Sequence, residues 1–256
     1  MRYKLLLILL ILPIAPQERP STVYYFPHIQ RTVNAGVAWY NHFGNQDHAD
    51  LVNAYYWYNE VSHEYLDTRP QAIPMVREMN KASVLAAVPG DYNRYMLVGN
   101  EGEERNQDNL TPEAMADFIL EIRAAYPLAR LVCLNSYDID YMLAVIGLLP
   151  AGVCEVLGVH VGSWVTGDLA SHLDRLCTDC LIWITELSWP NNDLRAYDHM
   201  YELTQQAISD PRVANVFGYT TTEAVPARLN FIDEGSGRLR PNGLGFSEAL
   251  EAYPCC

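Results

Sequence analysis

A single-domain α/β fold of the (β/α)8 TIM-barrel kind is predicted by three features of the sequence. The chain has 256 residues, half of them apolar, a length that one barrel domain fills. Eight short apolar runs can be marked as strands, and helix-like patterns separate most of them, the rhythm of βα units around a parallel sheet.

The candidate strands, in order, cover Ala35–Trp39, Val52–Trp57, Ala72–Val76, Tyr95–Val98, Leu131–Leu134, Val156–Val161, Leu181–Thr185 and Val213–Tyr219. Several are continuous apolar runs bounded by Asn, Gly or Pro, as strands buried on both faces require. The third contains Pro74, which cannot donate to a sheet ladder. Thr111-Pro112-Glu113 opens a helix with a capping hydroxyl, a proline in the first turn and early negative charge. That helix continues through Met115, Phe118, Ile119 and Ile122 on one face. Further helices are expected over Asp138–Leu149, Asp168–Cys177, Ala196–Ile208 and Phe246–Tyr253, whereas those between the first and fourth strands read as short or irregular.

Arg2 and Lys4 precede an apolar run from Leu5 to Leu12. Residues 1–16 therefore read as a secretory signal or an N-terminal anchor, since a bilayer span needs about 20 residues. Residues 17–33 form a polar lead-in, and the barrel is expected over 34–256. The expected location is outside the cell. A net charge of −14 argues against nucleic acid or an anionic membrane surface as partner. Six cysteines suit an oxidising compartment. Cys177 and Cys180 are spaced for metal or redox work but lack a second such pair. A disulfide between them, or pairing with Cys133, Cys154, Cys255 or Cys256, is the expected use. No dinucleotide or P-loop glycine motif and no Gly-x-Ser-x-Gly elbow occurs. No metal or other cofactor is expected.

Barrel enzymes build their sites at the C-terminal ends of the strands. The fourth candidate strand ends in Gly99-Asn100-Glu101-Gly102 and the seventh in Thr185-Glu186. Two carboxyl groups thus leave one rim from separated strands. Glycosidic hydrolysis needs such a pair, one to protonate the departing oxygen and one to attack or to activate water.

Asn100-Glu101 and Glu186 in these places resemble the signature of the retaining (β/α)8 glycosidases. More narrowly, Gly36–Asn41, Ile73-Pro74-Met75, Gly99–Glu101 with Gln107–Glu113, and Trp183–Glu186 resemble glycoside hydrolase family 128, a family of endo-β-1,3-glucanases. The resemblance implies Glu101 as acid/base, Glu186 as nucleophile, Asn100 as partner of the sugar 2-hydroxyl, and His160 as a residue that orients the nucleophile. The chemistry asks for an ionised Glu186 and a protonated Glu101, and the negative neighbour is expected to raise the acid's pKa. The sequence departs from the clan in two places: Gly102 follows Asn-Glu where proline is usual, and Tyr219-Thr220 stands where a tryptophan often floors the sugar site.

Trp57, Trp164 and Trp189 are candidate sugar platforms, with Asn41 and Tyr219 as further substrate contacts; packing beneath loops is the plain alternative for the aromatics. His160 alternatively reads as a hydrogen-bonded core residue. The expected protein is a monomeric retaining O-glycosyl hydrolase acting on a polysaccharide, with β-1,3-glucan first by resemblance. Its rivals are a non-catalytic carbohydrate-binding barrel and a glycosidase for mannan, xylan or a cell-wall glycan.

Overall fold

The computed structural model describes residues 34–39, 56–59, 72–165, 168–189, 194–219, 231–233 and 238–252. The chain divides into two units, Met1–Arg31 and Thr32–Cys256, and every described residue belongs to the second.

In chain order the strands are β1 (Asn34–Trp39), β2 (Tyr56–Asn59), β3 (Ala72–Ile73), β4 (Met75–Val76), β5 (Tyr95–Val98), β6 (Arg130–Ser136), β7 (Val156–Val161), β8 (Ile182–Leu187) and β9 (Val213–Tyr219), followed by the short pair β10 (Ile232–Asp233) and β11 (Arg238–Leu239). The helices are α1 (Lys81–Ala87), α2 (Pro112–Ala125), α3 (Ile139–Leu148), α4 (Leu169–Asp174), α5 (Leu194–Ser209) and α6 (Pro241–Ala252).

One sheet runs β3-β2-β1-β9-β8-β7-β6-β5-β4 with every pairing parallel. Its two ends are halves of a single strand. Pro74 separates β3, which pairs with β2, from β4, which pairs with β5. Lacking an N–H, Pro74 still accepts through its carbonyl, 3.0 Å from Leu97 N. The proline thus breaks the ladder without breaking the circuit, and the topology is that of a (β/α)8 barrel.

Side chains alternate between two cores, as a two-fold strand period demands. Met75, Leu97, Val132, Val156, Trp183 and Phe217 form one cluster inside the ring of strands. Their neighbours Val76, Met96, Leu131, Cys133, Leu157, Ile182 and Val216 belong to the larger cluster shared with the helices. Inside, Trp183 lies between Tyr95 and Phe217, with ring centroids 4.5 and 5.5 Å away.

α2 begins as expected, with Thr111 Oγ1 accepting from Ala114 N at 3.3 Å. α1 has only seven residues, in keeping with a short early helix, while residues 40–55 and 60–71 lie outside the described residues. The last helix starts at Pro241 rather than Phe246. Gly243 and Gly245 lie inside this helix, and both are contact points. A Cβ on Gly243 would lie 2.6 Å from Phe231 O, and one on Gly245 would lie 2.4 Å from Tyr197 O. Disulfides join Cys133 to Cys154 and Cys177 to Cys180. Among the described residues no helix is long and apolar enough to cross a membrane.

Candidate active site

The strand carrying Glu186 is longer than its apolar run suggested. It continues through Leu187, so Glu186 lies within β8 and not after it. A bulge explains why a charged side chain is accommodated there. Val159 pairs with Ile184, but His160 pairs with Glu186, leaving Thr185 as the extra residue. Strict alternation would turn Glu186 to the helix side with Ile184. The added residue resets the phase, so Glu186 shares a face with His160 while Leu187 rejoins Val161 in the outer core.

Glu101 is positioned from β5 and β6. β5 stops at Gly99, whose φ of +78° suits the residue without a side chain. Asn100 N then donates to Asp108 Oδ2 at 2.8 Å, and Glu101 N donates to Asn135 O at 2.9 Å. Glu101 itself has a φ of +43°, uncommon for a side chain of its size.

His160, fully buried on β7, stands between the two glutamates. Its Nδ1 is 3.0 Å from Glu101 Oε1 and its Nε2 is 3.5 Å from Glu186 Oε1. One ligating atom from each of the three residues lies within 4.8 Å of the others. The Glu101 and Glu186 side chains keep about 18% and 11% of their surface open, so both carboxyls are reachable but largely withdrawn from water.

The expected rise in the Glu101 pKa is overturned. Burial does push it up, but the hydrogen bond and charge of His160, the Arg77 guanidinium and a hydrogen bond from Gln107 together hold it below the usual carboxylate value. The negative charge of Glu186 is thus outweighed by partners that lie elsewhere in the chain.

Arg77, at the end of β4, organises that side of the site. It is 2% exposed; its Nε lies 3.4 Å from Asp108 Oδ1, and its Nη2 donates to Gln107 Oε1. Gln107 also accepts from Asn100 Nδ2 at 3.4 Å. A buried cation thereby orients the residues on both sides of Glu101. Burial outweighs this contact for Asp108, whose carboxyl is pushed above its ordinary value.

No protein-family model matches the chain, and no curated protein does. Solved structures do. The subgroup I endo-β-1,3-glucanase of glycoside hydrolase family 128 from Amycolatopsis mediterranei, in complex with laminaritriose, is 16% identical, with a TM-score of 0.64 over 85% of this chain and 100% of its own. A subgroup II endo-β-1,3-glucanase of the same family from Pseudomonas viridiflava is 21% identical, with a TM-score of 0.63 over 88% and 100%. A subgroup VII oligosaccharide-binding protein from Trichoderma gamsii is 13% identical, with a TM-score of 0.66 over 86% and 94%. The chain has a family 128-like fold.

In this family 128-like barrel the sequence-predicted contacts fall into separate groups. Glu101, Glu186, Asn100 and His160 come together as described. Trp164 is 45% exposed just beyond β7. Its ring folds over Gly162, where a Cβ would lie 2.6 Å away, and it meets Tyr137 at 5.7 Å between centroids. Tyr137 in turn donates its hydroxyl proton to Glu104. Trp189 stacks on His199 of α5 at 4.1 Å and packs against the outer core. Tyr219, half-buried at the end of β9, packs against the inner cluster. Trp57 lies in β2, its side chain outside the described residues, and Asn41 lies outside them altogether.

Sequence reasoning missed Arg77 and Asn135, and it assigned no role to Gln107 or Asp108. Arg77 carried a usable signal, being a charged residue directly after the apolar run Ile73–Val76. Asn135 carried none, because it reads as ordinary polar punctuation after a strand.

Proposed function

We propose that the chain is a retaining glycoside hydrolase acting on a β-glucan, with β-1,3 linkages as the first candidate, and that Glu186 is its nucleophile and Glu101 its acid/base. The carrying observation is the mutual approach of Glu101, His160 and Glu186 within 4.8 Å at the C-terminal ends of β5, β7 and β8. Double displacement works with carboxyl groups about 5–5.5 Å apart, whereas inversion leaves room for a water at about 6.5–9.5 Å. The fold shared with β-1,3-glucanases supports the choice of substrate.

In this reading Glu186 attacks the anomeric carbon as the glycosidic C–O bond breaks, and Glu101 gives its proton to the departing oxygen. Glu101 then takes a proton from water, whose oxygen displaces Glu186 from the sugar. The resting site holds Glu101 ionised beside His160. A sugar that seals the cleft removes water from the Glu101 carboxyl, and desolvation favours its protonated form. Substrate binding is thus the event that arms the acid. Trp164 is the sugar platform in this reading, its open face available for stacking. Export is supported by the two disulfides, with residues 1–16 as the signal or anchor.

The test is hydrolysis of laminarin by the wild-type chain and by Glu186→Gln and Glu101→Gln. Each substitution is expected to lower turnover at least about 10³-fold with folding intact, and the first product is expected as the β-anomer. Normal turnover in either variant removes that residue from its role. A non-catalytic oligosaccharide-binding barrel is the second reading, favoured by the similarity to the Trichoderma gamsii protein. Laminari-oligosaccharide binding with no product released by the wild-type chain would select it.

A further inference from the structure

We propose that Asn135 is the positioning residue for Glu101, and that Gly158 supplies the space in which it works. The inference rests on the glycosidase reading and extends it to residues that touch no substrate.

Asn135 is fully buried in a bulge of β6. Cys133 pairs with Leu157 but Ser136 pairs with Val159, so β6 carries one residue more than β7 across this interval. Leu134 and Asn135 absorb it with φ angles of +84° and +47°. Asparagine tolerates this region; leucine seldom enters it. The Asn135 Nδ2 lies 2.8 Å from Gly99 O and 3.3 Å from both Val98 O and Val132 O. Its own carbonyl accepts from Glu101 N. One residue therefore grips the end of β5 with its side chain and the backbone of Glu101 with its main chain.

Gly158 faces it from β7. A Cβ there would lie 2.2 Å from Asn135 Oδ1 and 3.2 Å from Asn135 Cα. Any side chain at position 158 would collide with Asn135, and His160 follows two residues later on the same face. The clamp thus joins the strand that carries Glu101 to the strand that carries its imidazole partner.

This arrangement carries local costs. Two non-glycine residues sit in the left-handed region, and Asn135 Oδ1 is buried with no hydrogen-bond partner among the described residues. A plain hydrophobic residue in a regular strand would avoid both costs. What the strained segment secures is a fixed carbonyl beneath Glu101 N and a fixed direction for the chain leaving β5. Those two constraints hold Glu101 at its own φ of +43°.

The experiment compares kcat/KM on laminarin with kcat/KM on a laminari-oligosaccharide bearing a dinitrophenyl leaving group, which departs without a proton. In Asn135→Ala and, separately, Gly158→Ala, the laminarin value is expected to fall about 10²-fold. The dinitrophenyl value is expected to fall by no more than about threefold, because only acid assistance is misplaced. Asn135→Asp keeps the shape and loses the donors, and it carries the same comparison if the alanine variant does not fold. Parallel losses on the two substrates, or wild-type values on laminarin, would overturn the proposal. Glu186→Gln serves as control. If it abolishes both activities while the Asn135 variants match the wild type, the positioning role fails and the glycosidase reading stands. If the wild-type chain cleaves neither substrate, both fail.

Discussion

Nδ1 of His160 lies 3.0 Å from Oε1 of Glu101, and the contact draws the Glu101 carboxyl down against the effect of burial. Burial alone would raise the Glu101 pKa; the imidazole is the largest of the influences that lower it. In His160→Ala the raising influence stays and the two histidine contributions go, so the Glu101 pKa rises. The basic limb of a kcat/KM profile reports the acid of the free enzyme and is expected to move to higher pH. A limb that stays in place or moves down, measured on laminarin, contradicts the assignment. The same linkage has a stability side. A depressed carboxyl contributes stability above its unfolded pKa and loses it as pH falls through the folded value. The variant should lack that acid-sensitive part of its unfolding free energy.

Arg212 ties the start of β9 to α4. Its guanidinium pairs with Asp210 at 2.6 Å and Asp174 at 2.7 Å and donates to Cys177 O at 2.7 Å, with about 9% of its side chain exposed. Arg212→Ala leaves Asp210 buried without its counter-charge, and a loss of about 3–5 kcal/mol is expected. Urea denaturation checks this. A midpoint equal to that of the wild type would show the pair to be dispensable.

The Cys133–Cys154 bridge spans 21 residues and encloses α3. Replacing both cysteines by alanine is expected to lower unfolding free energy by about 3 kcal/mol, the loop-closure value for this length. Thermal unfolding of the double variant against the wild type measures it, and unchanged melting would count against the bridge.

Gly102 occupies the place where proline was usual, and its surroundings give the reason for a small residue. A Cβ there would meet Tyr141 Oη at 2.3 Å and Met115 Cε at 2.6 Å. Gly102→Ala is expected to cost about 1–3 kcal/mol through overpacking. Adding Tyr141→Phe removes the nearest atom, so the double variant should be less destabilised than the sum of the two single changes. Strict additivity in chemical denaturation would refute the contact.

Much of the barrel could be read from residue patterns because its strands are buried on both faces. Tyr95–Val98, Val156–Val161 and Val213–Tyr219 are apolar runs whose ends coincide with the strands themselves. Glu101 and Glu186 stood out for the same reason: each interrupts or ends such a run. What could not be read was phase. The bulges at Thr185 and at Leu134–Asn135 each shift a strand by one residue, and no local propensity marks them. Without them Glu186 would be assigned to the wrong face and the grip of Asn135 on Gly99 would go unseen. The direction of the Glu101 pKa was not legible because His160, Arg77 and Gln107 all reach it through tertiary contacts from outside its strand.

Pro74 leaves the ring closed through two pairs of residues on each side, Ala72–Ile73 against β2 and Met75–Val76 against β5. Elsewhere β1, β7 and β9 contribute six or seven residues apiece. Cooperative units of a protein open at different free energies, the least densely bonded first. Amide deuterium should therefore enter at Met75 and Val76 well before it reaches β7, and a barrel that unzips will do so along this line.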